Sequence, residues 1–382
     1  MDATTIRVSE PRELLALLPY QLGFRPRESA VAVALRPPRG RVGLIVRVDL
    51  SDLGGGLHGP QLARGLVSHL VSDGARRAVL VLYTARDPRY PSDAAGRSCA
   101  AVVRAAAEQF RAAAEPFVRD VAVWVVAGSG YLSLDCSEDD CCPPGGRPLR
   151  DLEGTAVGAH MVLAGALVAD SREDLARIVP APAPARRNVA RVAQRWRARR
   201  ADAAGEALDR WRAEGLAAWR AAMERSIVGD TTARPAVLGR VEASLAVVRV
   251  RDAVLLALVP GTGDLPERSL LCVPDSPDGP VAHGTSDALA AIIDSRRGVP
   301  PDEDLVRAGV AVLEQVMAHA HAQHQAPALT LLALLAWWQA DGTRAGVLLD
   351  RALEADPAHR LALLLGEALA GGLGPGWVRR SA

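Results

Sequence analysis

Residues 77–84 read RAVLVLYT, a run of aliphatic side chains with charge only at its first position. A strand that is apolar on both faces is typical of a sheet with helices packed on each side. Helical patterns lie before it, over residues 58–71, and after it, over residues 93–114, and the next apolar run, FVRDVAVWVV, covers residues 117–126. Because strands alternate with helices, we predict parallel crossovers and an α/β layer.

A pair of β-type runs precedes this stretch. Residues 29–36 (SAVAVALR) and 42–50 (VGLIVRVDL) are joined by the turn-forming segment PPRGR. Two short β runs around a proline- and glycine-containing loop predict a hairpin. We therefore predict that residues 1–179 form an α/β domain with a mixed, mainly parallel sheet and an N-terminal hairpin.

The segment PAPAPARR, residues 180–187, predicts a stiff, extended linker, because proline fixes φ and has no backbone donor. Beyond it, residues 188–382 carry mostly helical patterns, which predicts an all-α domain. The spacing of leucine and alanine over about residues 326–371 is typical of one tetratricopeptide-type helix pair. A single pair cannot bury its own apolar face, so we expect it to pack on the preceding helices.

Composition indicates the class of protein. The chain has 382 residues with a net charge of +1, is 49% hydrophobic and 23% charged, which excludes a disordered tail and a small disulfide scaffold. Residues 1–10 lack the form of a secretory signal, and the uncharged apolar windows are shorter than the roughly 20 residues that span a bilayer. We expect a cytoplasmic protein with no membrane segment, in which cysteines are thiols, metal ligands or transient redox partners.

Three of the five cysteines fall in one loop. Residues 133–148 read SLDCSEDDCCPPGGRP and contain Cys136, Cys141 and Cys142. Converging thiolates bind zinc well, and the Pro-Gly turn would let the backbone wrap an ion. However, adjacent cysteine side chains diverge in most backbone conformations. A complete zinc site would also need a fourth group from elsewhere, and the candidates are His160, Asp135 and Cys99.

Two other interpretations of this loop stay open. Cys136 could form a reversible disulfide with either neighbour, since five or six residues allow ring closure. Alternatively, the cysteines pack as small hydrophobic residues in a tight loop. The acidic residues Glu138, Asp139 and Asp140 are expected to raise thiol pKa values, which counts against a reactive thiolate.

Four further residues are candidates for ligand binding: Arg25, Arg47, Asp49 and Ser133. Arg25 lies in the loop-like segment PYQLGFRP, and Arg47 and Asp49 end a strand, where α/β proteins commonly bind ligands. Ser133 opens the cysteine loop. Arg47 and Asp49 could instead pair on one face of the strand. No catalytic residue is predicted, because the chain lacks both a phosphate-binding loop and a G-x-S-x-G turn.

Two other patterns favour structural roles. Residues 186–200 contain seven arginines around Trp196, but the tryptophan follows the helical apolar spacing, so the pattern does not favour nucleic-acid binding. His319, His321 and His324 are separated by two, three and five residues rather than the four of helical metal ligands. We interpret them as a surface cluster at a helix end.

The segment CSEDDCCPPGGRP, residues 136–148, resembles the Cys-x4-Cys-Cys-Pro-x-x-Gly-x-Pro signature of the actinobacterial family called domain of unknown function 4192. The stretches LLPYQLGFRPRESAVAV at 17–33, SREDLA at 171–176 and VRVRDA at 248–253 agree with it. The chain departs from the family pattern at residues 128–132, where members usually carry a tryptophan-rich stretch. The resemblance implies an undefined activity and supports the two-domain architecture.

The function predicted from these patterns is a binding, scaffold or regulatory module that contacts a protein partner through its C-terminal helices. The absence of a catalytic motif favours a protein that is not an enzyme. The alternative hypothesis is a metal- or redox-dependent enzyme or sensor, centred on Cys136, Cys141 and Cys142, with zinc as the cofactor.

Overall fold

The computed structural model describes residues 10–38, 40–230, 232–271 and 279–381. The chain divides into two compact units, residues 1–175 and 176–382. Residues 1–9, which carry most of the evidence for the prediction about a secretory signal, lie outside the described residues, as does the fifth cysteine, Cys272. Within the described ranges, no helix is both long and apolar enough to cross a membrane.

The first unit is built on a five-stranded sheet with the order β2-β1-β3-β4-β5. Its strands are β1 (Ser29–Arg36), β2 (Arg41–Asp49), β3 (Arg77–Thr84), β4 (Val121–Ala127) and β5 (Tyr131–Ser133). Its helices are α1 (Pro11–Leu22), α2 (Leu50–Leu53), α3 (Gly59–Ser72), α4 (Ala94–Ala114), α5 (Arg150–Glu153) and α6 (Ala156–Leu163). A 3₁₀ turn over Glu173–Ala176 follows them.

The mixed sheet and its N-terminal hairpin confirm part of the predicted fold, and the expectation of a mainly parallel sheet is wrong. Strand β1 pairs antiparallel with both β2 and β3, and β5 pairs antiparallel with β4. Among the described strand pairs, β3 with β4 is the parallel one. The crossover through α3 joins β2 to β3, and these two strands run in the same direction. They are not neighbours, because β1 lies between them.

Strand β3 is buried on both faces, as its sequence predicts. Leu80 and Leu82 pack into one core with residues of α3 and α4, such as Leu70 and Phe110. Val81 and its neighbours on the other face pack into a second core with leucines of α1. Helix α1 therefore covers the face of the sheet that α3 and α4 leave free.

The segment of residues 19–26, predicted as a loop, is partly helical. Helix α1 includes Pro19 and ends at Leu22, and Gly23 follows with φ of 77°. Phe24 is buried in the core and pairs with Ala169 in an isolated bridge. The side chain of Phe24 thus has a packing role.

All the described secondary structure of the second unit is helical. Its helices are α7 (Ala183–Ala201), α8 (Glu206–Ile227), α9 (Pro235–Leu245), α10 (Val248–Ala257), α11 (Leu265–Arg268), α12 (Pro280–Ile293), α13 (Glu303–His319), α14 (Ala326–Trp338), α15 (Gly342–Ala355), α16 (Arg360–Ala370) and α17 (Gly376–Ser381). Helix α7 begins inside the segment 180–187, which was expected to be extended throughout. Pro184 fits in its first turn, where a helix does not use the backbone N–H.

Helices α14, α15 and α16 occupy the region for which a tetratricopeptide-like pair was predicted. Helix α14 is buried on nearly every side, and α15 packs along it. A helix that is apolar all round belongs to the interior of a domain. The pair is therefore part of the core of the second unit, and its specific likeness to a tetratricopeptide repeat stays a prediction.

Candidate functional site

The cysteine loop leaves the sheet at its β5 edge. The backbone N–H of Leu134 donates to the carbonyl oxygen of Val123 on β4 at 3.0 Å, which extends the pairing by one residue. The N–H of Cys136 then donates to the carbonyl of Ser133 at 3.3 Å. Cys136 is thereby fixed by the backbone directly beyond the strand.

A tight turn brings the other two cysteines to it. The backbone N–H groups of Cys141 and Cys142 both donate to the carbonyl oxygen of Glu138, at 3.1 and 2.7 Å. The sulfurs of Cys136, Cys141 and Cys142 all lie within 4.8 Å of one another. The expectation that adjacent cysteines diverge is wrong, because this turn curls the backbone around one carbonyl.

A largely buried ion pair holds the loop from the inside. Nη2 of Arg89 lies 3.0 Å from a carboxylate oxygen of Asp87, and the two side chains are 14% and 8% exposed. The guanidinium also donates to the carbonyls of Cys142 and Pro143, at 2.9 and 2.8 Å. The Asp87 carboxylate accepts from the N–H of Gly145 at 2.9 Å.

Sequence reasoning missed Asp87 and Arg89. The available signal was their position, a charged pair two residues apart just after a buried strand, where α/β proteins place functional side chains. Burial alone would raise the pKa of Asp87, but the hydrogen bonds from Arg89 and Gly145 outweigh it and lower that pKa. The carboxylate therefore stays ionised beside its arginine.

Arg147 holds the outer side of the loop. Its Nε donates to the carbonyl of Cys141 at 2.6 Å, and Nη2 lies 3.4 Å from the sulfur of the same residue. Its backbone pairs with that of Tyr131 in both directions, at 2.9 and 2.8 Å. Gly146, with φ of 83°, lies so close to Tyr131 that an added Cβ would be 2.9 Å from its backbone. The Gly-rich end of the loop is thus required for this close approach.

The three thiols lie in different environments. Cys142 is 1% exposed, and burial raises the pKa of its thiol. Cys136 is half-buried, and a hydrogen bond with the Glu138 backbone, together with the other two thiols, lowers its pKa. The expectation that the acidic residues dominate the thiol pKa values is therefore wrong for Cys136. Glu138, Asp139 and Asp140 are exposed, so water screens their charges.

The predicted fourth ligands do not join the three sulfurs. Within the described residues, the metal-ligand group with mutual distances below 4.8 Å consists of the three cysteines. The Cys99 sulfur lies 2.8 Å from Oγ1 of Thr84, and Asp135 forms an exposed ion pair with Arg111. His160 lies on α6, outside the group. A metal held by this loop would thus have a position left for a ligand from solution.

The other candidate ligand residues are spread over the sheet. Arg47 pairs with Asp49 at 2.5 Å and donates from Nε to Oγ of Ser29 at 2.9 Å. They lie on β2, whereas Ser133 lies on β5, the opposite edge strand. Four strand spacings of about 4.8 Å separate these edges, so the two sets are roughly 19 Å apart. Arg25 has an exposed side chain, and its backbone N–H donates to Ala169.

A cavity of about 240 Å³ adjoins the loop at the carboxyl ends of β3 and β4. Arg86, Asp87, Tyr90 and Ser129 are among its lining residues. Oγ of Ser129 donates to the carbonyl of Gly145 at 2.8 Å, and Asp87 binds the N–H of the same residue. The cavity and the cysteine loop therefore share one wall.

The arginine-rich segment of residues 186–200 does not present its tryptophan to solvent. Trp196 is 5% exposed, stacks on Trp211 with ring centroids 5.5 Å apart, and donates from Nε1 to Ser244 at 3.0 Å. Arg199 lies over its ring and pairs with Glu214. This tryptophan cannot stack on a nucleic-acid base without unfolding its core.

Comparison with known proteins gives one match. The family model described as Domain of unknown function (DUF4192) matches residues 11–376, which is nearly the whole chain. No curated protein and no solved structure matches the chain.

Proposed function

This chain belongs to the DUF4192 family, and we propose that it is a metal-binding protein whose Cys136, Cys141 and Cys142 hold one zinc ion. The observation that carries the proposal is the distance among the three sulfurs, each within 4.8 Å of the others. Zinc–sulfur bonds of about 2.3 Å in a tetrahedral arrangement separate sulfurs by roughly 3.8 Å. Binding would therefore shorten the distances between the sulfurs by at most about 1 Å.

The loop backbone supports this proposal because protein side chains hold it in place. Arg89 and Asp87 bind the loop from inside, and Arg147 binds it from outside. Three thiolates around Zn²⁺ carry one net negative charge, which the nearby arginine cations offset. Nη2 of Arg147, 3.4 Å from the Cys141 sulfur, is suited to donate to a metal-bound thiolate, as outer residues do at metal sites.

Three protein ligands favour an open site over a closed structural one. Structural zinc sites use four protein ligands, whereas catalytic sites keep a position for water or substrate. Cys136 and Cys141 are half-buried, so the metal would face solvent on one side. We infer a metal-dependent sensor or enzyme, and a cytoplasmic location would keep the thiols reduced for this purpose.

The test is the metal content of the full chain, purified without a histidine tag under reducing conditions. We expect about one equivalent of zinc by mass spectrometry of the metal, and three thiols that react only after chelation. Serine variants of Cys136, Cys141 and Cys142 should each lose the metal. Cys99→Ser is the matched control, because Cys99 lies outside the group, and it should keep the zinc.

A metal-free protein with a reversible Cys136 disulfide would replace the proposal with the redox hypothesis. A metal-free protein whose thiols all react freely would indicate that the cysteines serve only to pack the loop. Retention of zinc in all three serine variants would place the metal elsewhere. Each result is read from the same preparation.

Partner binding through the C-terminal helices is a second candidate, because two leucines of α16 face solvent. Leu363 is 43% exposed and Leu364 is 53% exposed. Exposed apolar side chains on a helix are a common feature of partner contacts. Affinity purification from the native host should recover a stoichiometric partner that Leu363→Ser with Leu364→Ser releases. An unchanged set of partners would contradict this role.

A further inference from the structure

A second cluster of titratable side chains lies in a cleft of about 200 Å³ in the helical unit, which the zinc proposal does not use. Its lining includes Arg197 from α7, Glu242 from α9, and His319, His321 and His324 from the end of α13 and the turn after it. These are the charged and titratable groups that line the cleft. Five such groups in so small a space are typical of a binding site.

The chain leaves the helix between the histidines, which brings them to one cleft. Helix α13 ends at His319, and Ala320 and His321 adopt extended backbone with ψ of 147° and 148°. A short 3₁₀ turn over Ala322–His324 follows. The sequence interpretation of a surface cluster assumed helical spacing throughout, and that spacing does not apply across this break.

The side-chain amide of Gln325 stabilises the break. It donates to the carbonyl of Ala320 at 3.1 Å and approaches that of Met317 at 3.4 Å. These carbonyls lie at the end of α13, where helical partners run out. The cleft is thus built by a capped helix end and not by a flexible tail.

The cleft is not arranged as a metal centre. In the described part of the chain, the three cysteines are the group of three or more ligand atoms that lie within 4.8 Å of one another. No three of the imidazoles and the Glu242 carboxylate are therefore close enough to ligate one ion together. A ligand larger than an ion would be needed to bridge them.

Arg197 is the fixed cation of this cleft. Its Nη2 donates to the Glu242 carboxylate at 2.7 Å. The side chain of Glu242 is 3% exposed, so this buried carboxylate fixes the orientation of the guanidinium. Among the described contacts, Nε and Nη1 of Arg197 make no hydrogen bond. A guanidinium with free donors is suited to a carboxylate or phosphate oxygen.

The histidines add donors whose charge depends on pH. Nδ1 of His319 lies 2.7 Å from the carbonyl oxygen of Gln315, and because a carbonyl only accepts, this nitrogen carries the proton. Its Nε2 therefore carries no proton in the neutral imidazole. His321 is exposed and His324 is half-buried, so both imidazoles can reach a ligand from solution.

We propose that this cleft binds a small-molecule oxyanion, a carboxylate or phosphate group, with Arg197 as the fixed cation and the imidazoles of His321 and His324 as hydrogen-bond donors. Binding therefore strengthens as the pH falls.

The direction of the pH effect follows from the groups that line the cleft. Burial, and then the charges of Arg197 and His321, lower the pKa of His324 below its usual range. Burial raises the pKa of Glu242. Because its pKa is raised, Glu242 loses its negative charge at a higher pH than an exposed glutamate does, whereas His324 gains its positive charge at a lower pH than an exposed histidine does. A bound anion relieves the repulsion among the cations and favours the protonated state.

The test is calorimetric titration of the full chain with sodium sulfate, at about pH 5.5 and about pH 7.5. Sulfate keeps its double charge over this range, and sodium chloride at matched ionic strength is the blank. We expect one site that binds about fivefold more tightly at the lower pH. His321→Ala with His324→Ala should weaken the pH dependence, and the part that remains is the contribution of Glu242. Succinate and inorganic phosphate at the lower pH then compare the carboxylate and phosphate forms.

The arginine is tested by Arg197→Gln combined with Glu242→Gln, because the double change leaves no unpaired buried charge. This variant should lose sulfate binding, with its fold checked by circular dichroism. Arg191→Gln is the control, since Arg191 is exposed on the same helix outside the cleft lining and should bind as the parent does.

Absence of saturable sulfate binding at the lower pH would overturn the proposal. Unchanged binding in both variants would do the same. Saturable Ni²⁺ binding that the histidine variant loses, without sulfate binding, would identify a metal site instead. The outcome is independent of the zinc content of the cysteine loop.

Discussion

Arg89 and Asp87 form an ion pair of 3.0 Å that is almost out of solvent and that binds the cysteine loop through four backbone groups. Both residues follow strand β3, whereas the loop follows β5, some 50 residues later. The pair thus connects the rigid centre of the sheet to the three thiols.

The first prediction concerns Arg89→Met. The change leaves the Asp87 carboxylate, 8% exposed, without its cation, and breaking such a buried pair costs about 3 kcal/mol. We expect a loss of that size in the free energy of unfolding by urea, and a lower zinc content. Arg77→Met is the control, because its pair with Asp120 is exposed and should contribute less than about 0.5 kcal/mol. Equal effects of the two changes would contradict the role given to Arg89.

The second prediction separates strain from close packing at two adjacent glycines. Gly145 and Gly146 both have φ of 83°, so alanine costs about 1 kcal/mol in backbone strain at either. At Gly146 the added Cβ would also lie 2.9 Å from the backbone of Tyr131, whereas at Gly145 its nearest contact is 3.7 Å. Thermal unfolding should therefore show Gly146→Ala to be at least about 1 kcal/mol less stable than Gly145→Ala. Variants of equal stability would refute the close approach.

The secondary structure could largely be predicted from the sequence, while the strand order could not. The run at 77–84 carries its burial pattern in its own residues, since an apolar strand must be covered on both faces. Whether the crossover through α3 places β3 beside β2 or on the far side of β1 depends on contacts between distant residues. The antiparallel pairing of β1 with β3 is a consequence of that choice.

The chemical sites escaped prediction for a related reason. The convergence of Cys141 and Cys142 depends on a single accepting carbonyl, that of Glu138, which no spacing rule encodes. The histidine cleft depends on a helix ending at His319 rather than running on. In both places the sequence drew attention to residues that lie near one another in the structure, and a local departure from regular backbone brings them together.

The third prediction concerns alkaline pH and Tyr83. This tyrosine is 6% exposed, its hydroxyl has no hydrogen-bond partner among the described residues, and burial raises its pKa. A folded pKa above the unfolded value of about 10 gives stability that is present below pH 10 and is lost as the pH rises above it. The chain has no lysine, so the other side chains with ordinary pKa values near this range are its cysteines and its remaining tyrosines.

We therefore expect Tyr83→Phe to be equally stable or up to about 1 kcal/mol more stable at neutral pH, because it removes an unpaired buried hydroxyl. Its unfolding free energy should also fall less steeply above pH 10 than that of the parent. Tyr90→Phe is the matched control, since Tyr90 is 54% exposed and should leave the pH profile unchanged. A Tyr83→Phe profile that superimposes on the parent would show that the hydroxyl finds a partner.

The last prediction tests whether Arg147 supports the metal or only the loop. Its Nε holds the Cys141 carbonyl at 2.6 Å, and its Nη2 lies 3.4 Å from the Cys141 sulfur. Arg147→Gln keeps a donor for the backbone but removes the cation, so the metal-bound thiolates lose a neutralising charge. Loss of such an outer partner lowers metal affinity by about 10- to 100-fold.

We expect competition with a chromophoric chelator to show this loss of zinc affinity in Arg147→Gln, while its urea unfolding in the metal-free state changes by less than about 1 kcal/mol. Arg150→Gln, an exposed arginine three residues further on, should keep the parent affinity. If metal-free stability falls while zinc affinity stays, Arg147 acts on the loop alone. If zinc affinity falls while metal-free stability stays, the positive charge of Arg147 stabilises the metal-bound thiolates.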